Sequence, residues 1–437
     1  MEHQYYKKNV VNIDDLPEHL FVRILSWLPC NLVFQCMCVS KRWFVLLNSS
    51  YFVRQFSRFQ RELEQNPITG SVLFSWSSLC RYNRCLYPKL PKSITQRFYT
   101  KSFLPRRSDG VFYKSLLVSM YNDLALCNNE AGESYYYICN TYTMQWVALP
   151  PLKFEWRRDR VGFICDPYRE DDKNLEQDGS SSSNAEYRCR VVLIHHKYNA
   201  LKLNMVMFSS ETGEWREFVV PCRPKTHLVF CESYMNLAQP EGVAFKGKLY
   251  WSGKAGIMEF DPLAYDSNKN ITGSTSNADV FDKCRFINID HEHPDESDYS
   301  RSRRLCVRRG CLCITDVVNG SRVHIWGFKG EIEEGNFCLI YNVSLSPMLD
   351  ESGLRHLHRA STKLLHLNSF DEDIVYLEVD KCIFICNIRT ETVLAKHESD
   401  DKKIRAFPFV LPRWPTPLPS IATMRASTTR KSRTTKV

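Results

Sequence analysis

The chain has 437 residues, room for two or three domains or for a small domain followed by one large β-type domain. Apolar residues make up 43% and charged residues 24%, so most of it should fold as an ordinary globular protein. The formal charge of +9 gives little ground for nucleic-acid binding, because the final "RASTTRKSRTTKV" supplies five of the basic residues and no acid.

The opening "MEHQYYKKNVVNIDD" lacks an apolar core of signal-peptide length, and no window reaches about 18 uninterrupted apolar residues. The expectation is a soluble protein without a membrane partner, inside the cell, in cytoplasm, nucleus or both. Eighteen cysteines fit that compartment. Several lie in strand-like runs such as "YYYICN", "GCLCIT" and "KCIFICN", where a free thiol behaves as a small buried hydrophobe, and disulfides are not the expectation in a reducing environment.

Residues 10–56 read as helix. Asp14 and Asp15 precede Pro17, which suits a first helical turn, and acids there complement the helix dipole. Leu16, Leu20, Ile24 and Leu28 recur every four residues beside Pro17, Phe21 and Leu25, making one broad apolar face with Val22 and Trp27 outside it. Leu28 and Pro29 close that helix. A second segment, "NLVFQCMCV", is almost wholly apolar. A third, "SKRWFVLLN", can start at Ser40 as a cap and carries Trp43 and Phe44. Three short helices lie at the lower size limit for a self-sufficient core. Burying a Leu or Phe is worth about 1.5–3 kcal/mol, so a surplus of exposed ones calls for a covering surface. That surface is either a partner or the rest of the chain.

After a connecting segment at 57–68, residues 69–415 change character. Short apolar runs rich in β-branched and aromatic residues follow one another ("SVLFSW", "RVVLIHH", "GKLYWSG", "DIVYLEV"), separated by Gly, Asn, Asp or Pro, which are strand and turn signals. Stretches beginning at Arg169, Tyr265 and Asp290 are acidic or Ser/Asn-rich, without apolar periodicity, and read as surface insertions. Residues 416–437 read as a basic, disordered tail.

A repeat lies inside the β region. "CNTYTMQW" starts at Cys139, "FSSETGEW" at Phe208 and "CNIRTETV" at Cys386. Each has an apolar residue, then Asn or Ser, then Thr three positions on, then Trp or Val after another three. A strand ending at the apolar residue, a polar turn, and a large residue re-entering the next strand towards the core would give that spacing. "FDP" at Phe260 and "CDP" at Cys165 resemble related exits. With the insertion removed the period is about 50 residues, close to a kelch-type blade, a four-stranded sheet that must stack in a ring. Six or seven blades would fill the region.

"LPEHLFVRILSWLPCNLVFQCMCVSKRW" resembles the F-box position by position: an opening "LP", "IL" further along the helix, a second "LP", and "VSKRW" without a gap. The resemblance implies docking to the Skp-family adaptor of a Skp–cullin–F-box ubiquitin ligase, with Leu16, Pro17, Leu20, Ile24, Leu28, Pro29, Val39 and Trp43 forming or supporting the contact. The β region is similar to the F-box-associated, kelch-like domain of plant F-box proteins: "CNTYTMQWVALPP", "VGFICDP" before "YRCRVVLI", "MFSSETGEW" and "GVAFKGKLYWSGKAGIMEFDP" follow in the family's order. Thr141 departs from the Pro common after Asn, and Asp123 from a usual Gly. The expected whole is an α + β multi-domain protein, a three-helix F-box followed by an all-β kelch-like propeller.

Chemistry of its own is not visible. "CMC", "CLC" and "CIFIC" lack the paired spacing of zinc knuckles, and cysteines two or four apart on a strand share a face. "DHEHPDE" from Asp290 falls in an insertion. There is no Gly-rich phosphate loop, G-x-S-x-G elbow or H-E-x-x-H pair. The expectation is a non-catalytic adaptor without cofactor or metal, reaching cullin through the adaptor and recruiting a target protein that the sequence does not identify. An F-box scaffold outside ubiquitin ligases, and an enzyme on a propeller fold, are the alternatives.

Overall fold

The structure, a computed structural model, describes residues 13–28, 30–49, 51–53, 55–56, 59, 70–76, 83–85, 115–129, 136–141, 143, 145–152, 160–166, 188–196, 202–221, 241–253, 256–263, 284–288, 303–308, 310–318, 320–328, 332, 337–351, 362–368, 371, 373–380, 382–398, 404–410, 414–419 and 421. The chain divides into two compact units. One is 1–68 with 182–185 and 412–415; the other is 69–181, 186–411 and 416–437. The stretches beginning at Arg169 and Tyr265, "DHEHPDE" and the final basic residues fall outside the described residues, as does Pro29.

In the helical unit, α1 (Glu18–Ser26), α2 (Cys30–Cys36) and α3 (Lys41–Leu47) are followed by helical residues at 51–53, 55, 56 and 59. Ser40 caps α3 as its sequence suggests, its hydroxyl accepting from the Trp43 N–H at 3.2 Å. Ser49 does the same for Phe52 at 3.1 Å. The unit builds one core from Phe21, Val22, Leu25, Val33, Trp43, Leu46, Leu47, Phe52 and Phe56. Phe21 meets Trp43 edge-on with centroids 4.7 Å apart. A remote residue completes it. Trp414 stacks on Phe34 at 4.8 Å and meets Phe56 at 5.3 Å and Phe52 at 5.8 Å.

In the β unit, strands β1 (Gly70–Trp76) and β2 (Asn83–Cys85) precede β3 (Ser115–Tyr121), β4 (Leu124–Asn129), β5 (Tyr136–Asn140) and β6 (Trp146–Ala148), which form one antiparallel sheet. A second is β7 (Arg160–Asp166), β8 (Arg188–His196), β9 (Lys202–Ser209) and β10 (Glu214–Pro221). A third is β11 (Val243–Phe245), β12 (Lys248–Ser252), β13 (Gly256–Phe260) and β14 (Cys284–Asn288). A fourth is β15 (Arg304–Arg308), β16 (Cys311–Val318), β17 (Arg322–Phe328) and β18 (Phe337–Ser344), followed by α4 (Ser346–Glu351). A fifth is β19 (Lys363–Leu367), β20 (Ile374–Val379), β21 (Cys382–Asn387) and β22 (Thr392–Glu398). Finally β23 (Ile404–Val410) pairs along the whole of β1, from Gly70 opposite Val410 to Trp76 opposite Ile404, giving a three-stranded sheet with β2.

The first strands of neighbouring sheets, and β23, touch in the order β3, β7, β11, β15, β19, β23 and back to β3. Separate apolar clusters fill the space between each adjacent pair of sheets. Val192 and Met205 meet Trp251 and Phe260 in one, and Ile325 and Val323 meet Leu377 and Phe384 in another. Four further clusters occupy the other four junctions. The ring is closed, and β1 with β23 is its clasp. This is a β-propeller. Among the described residues, complete four-stranded blades number five, below the six or seven that the 50-residue period suggests, and a sixth sheet has three strands.

Position in a blade explains composition. Middle strands are covered on both faces by neighbouring blades, so β20 is buried throughout, whereas the outermost β22 alternates. Trp251 is fully buried, but Trp146, expected to turn inwards, opens an outermost strand and stays exposed.

The repeat marks the turn between third and fourth strands in three blades. In two of them the Asn side chain accepts from the backbone N–H of the Thr three residues on: Asn140 from Thr143 at 2.8 Å, Asn387 from Thr390 at 2.9 Å. "FDP" is a third-strand exit too, while "CDP" ends the first strand β7. The two family departures meet each other. The Thr141 N–H and hydroxyl donate to the Asp123 carbonyl at 2.9 and 2.8 Å, and a proline could offer no such N–H. The Asp123 carboxylate accepts from Asn140 Nδ2 at 2.8 Å and from the Thr416 N–H at 2.9 Å. Part of the segment expected to be a tail is thereby fixed to the first complete blade, and Ile421 is buried in the cluster between that blade and the next.

One cysteine expectation is corrected. Cys165 on β7 lies opposite Cys189 on β8 with Cα atoms 4.2 Å apart, and the two form a disulfide. The strand register, invisible in the sequence, brings them face to face.

Candidate functional site

The helical unit sorts its apolar side chains into two sets. On α1, Phe21, Val22 and Leu25 point into the core, while Leu20, Ile24 and Trp27 form a stripe on another side, at steps of four and three residues. The single broad face read from the sequence is therefore two. Val22 belongs to the inner one and Trp27, 58% exposed, to the outer. Helix periodicity puts Trp27 on the same stripe as Leu20, seven residues or nearly two full turns away, but does not say which stripe turns inwards.

Of the residues expected at the adaptor contact, Pro17, Leu20, Ile24 and Val39 are exposed, Ile24 at 45% and Val39 at 64%. Leu16 and Leu28 are half-buried, and Leu28 packs on the core. Trp43 is buried against Phe21. It can support a docking face by fixing α1 against α3, but it presents little surface of its own. Leu32, Phe44 and Val45 were not among the residues expected at the adaptor contact, yet all are exposed, Val45 at 69%.

Thirteen large hydrophobic side chains are exposed among the described residues. Nine, from Ile13 to Tyr51, belong to the small helical unit; four, Trp146, Leu339, Ile340 and Leu394, belong to the propeller. The helical unit thus has a complete core and a surplus of apolar surface. Scattered apolar residues are normal, but such a concentration marks an interaction face. Polar and charged side chains accompany it: Glu18, His19, Arg23, Lys41 and Arg42 are all exposed. Burial pushes the Cys30 thiol up to about 12, so it stays protonated and serves as packing. Among the described residues no group of three or more His, Cys, Asp or Glu could hold a metal ion, and no helix is long and apolar enough to cross a membrane.

Comparison with known proteins accounts for both units. The family described as F-box-like matches residues 13–58, and the family described as F-box protein At3g26010-like, beta-propeller, matches residues 68–406. F-box protein At1g49990 of Arabidopsis thaliana is 23% identical over 409 residues, covering 87% of this chain and 86% of the relative. Putative F-box protein At3g52320 of the same plant is 30% identical over 156 residues, covering 35% of this chain and 37% of the relative. Putative F-box/kelch-repeat protein At1g15680, also from Arabidopsis thaliana, is 23% identical over 265 residues, covering 58% of each. The matches thus span less than two thirds of the latter two relatives.

Proposed function

We propose, for a chain that belongs to the F-box proteins with an At3g26010-like β-propeller, the role of substrate-recruiting subunit in a Skp–cullin–F-box ubiquitin ligase. The concentration of exposed apolar side chains on a helical unit that already has its own core carries this reading. Leu16, Pro17, Leu20, Ile24, Leu28, Pro29 and Val39 meet the Skp-family adaptor, and Trp43 holds the helices that present them. Trp27 beside Ile24 extends the contact. Covering side chains that are about half exposed returns roughly half of the 1.5–3 kcal/mol for a full burial, so several must act together.

The adaptor leads to cullin, and the propeller selects a target protein. Ubiquitin transfer belongs to partner subunits; this chain contributes proximity, holding the target where transfer takes place, and is itself non-catalytic. Its place of action is inside the cell.

Capture of a recombinant Skp-family adaptor by the full chain tests the proposal. A Leu20→Asp, Ile24→Asp double variant changes only outward-facing side chains, so its melting curve should match the parent while capture is lost. Capture equal to the parent's would overturn the assignment. Adaptor capture that never brings cullin with it would favour a scaffold acting outside ubiquitin ligases.

A further inference from the structure

The blade of β15 to β18 carries a row of small residues across all four strands. Cys306 on β15 lies directly opposite Cys313 on β16, Cys313 opposite Gly327 on β17, and Gly327 opposite Cys338 on β18. Directly opposed side chains of an antiparallel pair share a face and sit side by side. Register therefore brings Cys306 to Cys313 as it brings Cys165 to Cys189. In both blades the pair joins the first strand to the second. One pair is bonded, and the other is a pair of free thiols.

The free pair has the geometry for a bond. Residues opposed in this way stand about 4.5–5.5 Å apart at Cα, and disulfides span about 4.4–6.8 Å. Cys306 Sγ lies 3.8 Å from the Cys313 carbonyl oxygen, and the two thiols are within hydrogen-bonding reach of each other. Cys127 and Cys139 supply a contrast. Their thiols are in reach too, yet Cys127 is opposite Tyr137 and Cys139 opposite Ala125. Such a diagonal offset separates the two residues by about 7–8 Å, too far for a disulfide unless the backbone moves.

The surroundings favour reaction at Cys313. The Cys306 thiol, and then the charge of Arg308, hold the Cys313 thiol below its ordinary value against the effect of burial. Cys306 is pushed the other way, so Cys313 is the readier thiolate. Both are buried, but the side chain over the row beside Cys313 is not. A Cβ on Gly327 would run into Ile340 Cδ1 and lie 3.9 Å from Cys313 Sγ, so Ile340 fills the gap that the glycine leaves. The register of β17 and β18 shifts between Ile325 and Trp326, which leaves Ile340 between their partners, and it is 45% exposed.

We propose that Cys306 and Cys313 are a site of reversible oxidation, closing a second disulfide when a peroxide reaches Cys313 past Ile340. The Cys313 thiol gives up its proton and its sulfur attacks a peroxide oxygen. The O–O bond breaks, a sulfenic acid forms, and the departing hydroxide takes up that proton as water. The Cys306 sulfur then attacks the Cys313 sulfur. The S–S bond forms, the S–O bond breaks, and the Cys306 proton leaves with the hydroxide as a second water. Two thiols are oxidised and one peroxide is reduced. The bridge staples β15 to β16 as Cys165–Cys189 staples β7 to β8. It needs neither adaptor nor target, so it stands apart from the ligase reading.

Peptide mapping of the full chain tests the site. The folded protein is reduced, freed of reductant, treated with hydrogen peroxide, alkylated, and digested with trypsin without further reduction. Trypsin cuts after Arg308, between the two cysteines, so closure links residues 305–308 to residues 310–322. The linked pair should appear in the parent and in Cys311→Ser, be lost in Cys313→Ser, and give way to alkylated peptides after dithiothreitol. Cys127 and Cys139 should stay open to alkylation throughout. Ile340→Ala uncovers Cys313 and should shorten the half-time of closure. The parent result stands even if a variant fails to fold. Cys306 and Cys313 still alkylated in the peroxide-treated parent would overturn the proposal. So would a link that survives Cys313→Ser, closure of Cys127 with Cys139 as readily, or a half-time that folded Ile340→Ala leaves unchanged.

Discussion

Replacing Asp123 by asparagine changes how stability varies with pH, by an amount set by where the side chain sits. Asp123 is fully buried. Burial raises its pKa from 3.8 to about 6, although the hydrogen bonds from Thr416 and Asn140 pull the other way. Between those two values the folded chain holds a proton that the unfolded chain has released. Asp123 therefore favours the fold most at low pH, and that contribution is lost as pH rises through about 6. Asparagine can accept the same two hydrogen bonds but does not titrate. Its amide would replace Oδ1, which has no partner, and that constant cost is the same at every pH. The informative quantity is thus the parent's stability minus the variant's, measured by urea unfolding at pH 4.5 and 7.5. From 4.5 to 6 is one and a half pH units at about 1.4 kcal/mol each, so the difference should fall by about 2 kcal/mol. Comparing variants also cancels His366, whose lowered pKa acts oppositely and costs the fold stability as pH falls from 6.5 towards 4. A difference that is flat, or that grows with pH, would refute the argument.

Two further substitutions probe the two units separately. Trp414→Ala removes the ring that packs on Phe34, Phe52 and Phe56, and should destabilise the helical unit by about 2–4 kcal/mol, seen as faster amide exchange in α1 and α3. Unchanged protection there would refute it. Gly162→Ala would place a Cβ 2.7 Å from Leu249 Cδ1 and against the fully buried Trp251 ring, so overpacking should cost about 1–3 kcal/mol in a melt.

Local chemistry made much of the fold legible. The Ser40 cap and the Asn140-to-Thr143 turn act over three residues, and both are as the sequence suggests. Alternating and continuous apolar runs distinguish outer from middle strands for the same reason. What escaped depends on distance along the chain. The Phe34–Trp414 stack, the Cys165–Cys189 bond and the Asp123–Thr416 tie join segments that share no motif. The misread face of α1 is a different kind of error. With apolar residues at nearly every angle, periodicity shows that a helix forms but not which stripe turns inwards; the partners of Phe21 and Leu25 on α3 decide that.

Amide exchange of the full chain, with and without a saturating Skp-family adaptor, tests most directly whether the apolar stripe is a docking face. The account predicts new protection in α1 and around Val39, Phe44 and Val45, with the strands β3 to β23 unchanged. Adaptor binding that protects the propeller while leaving α1 as it was, or no binding at all, would contradict it.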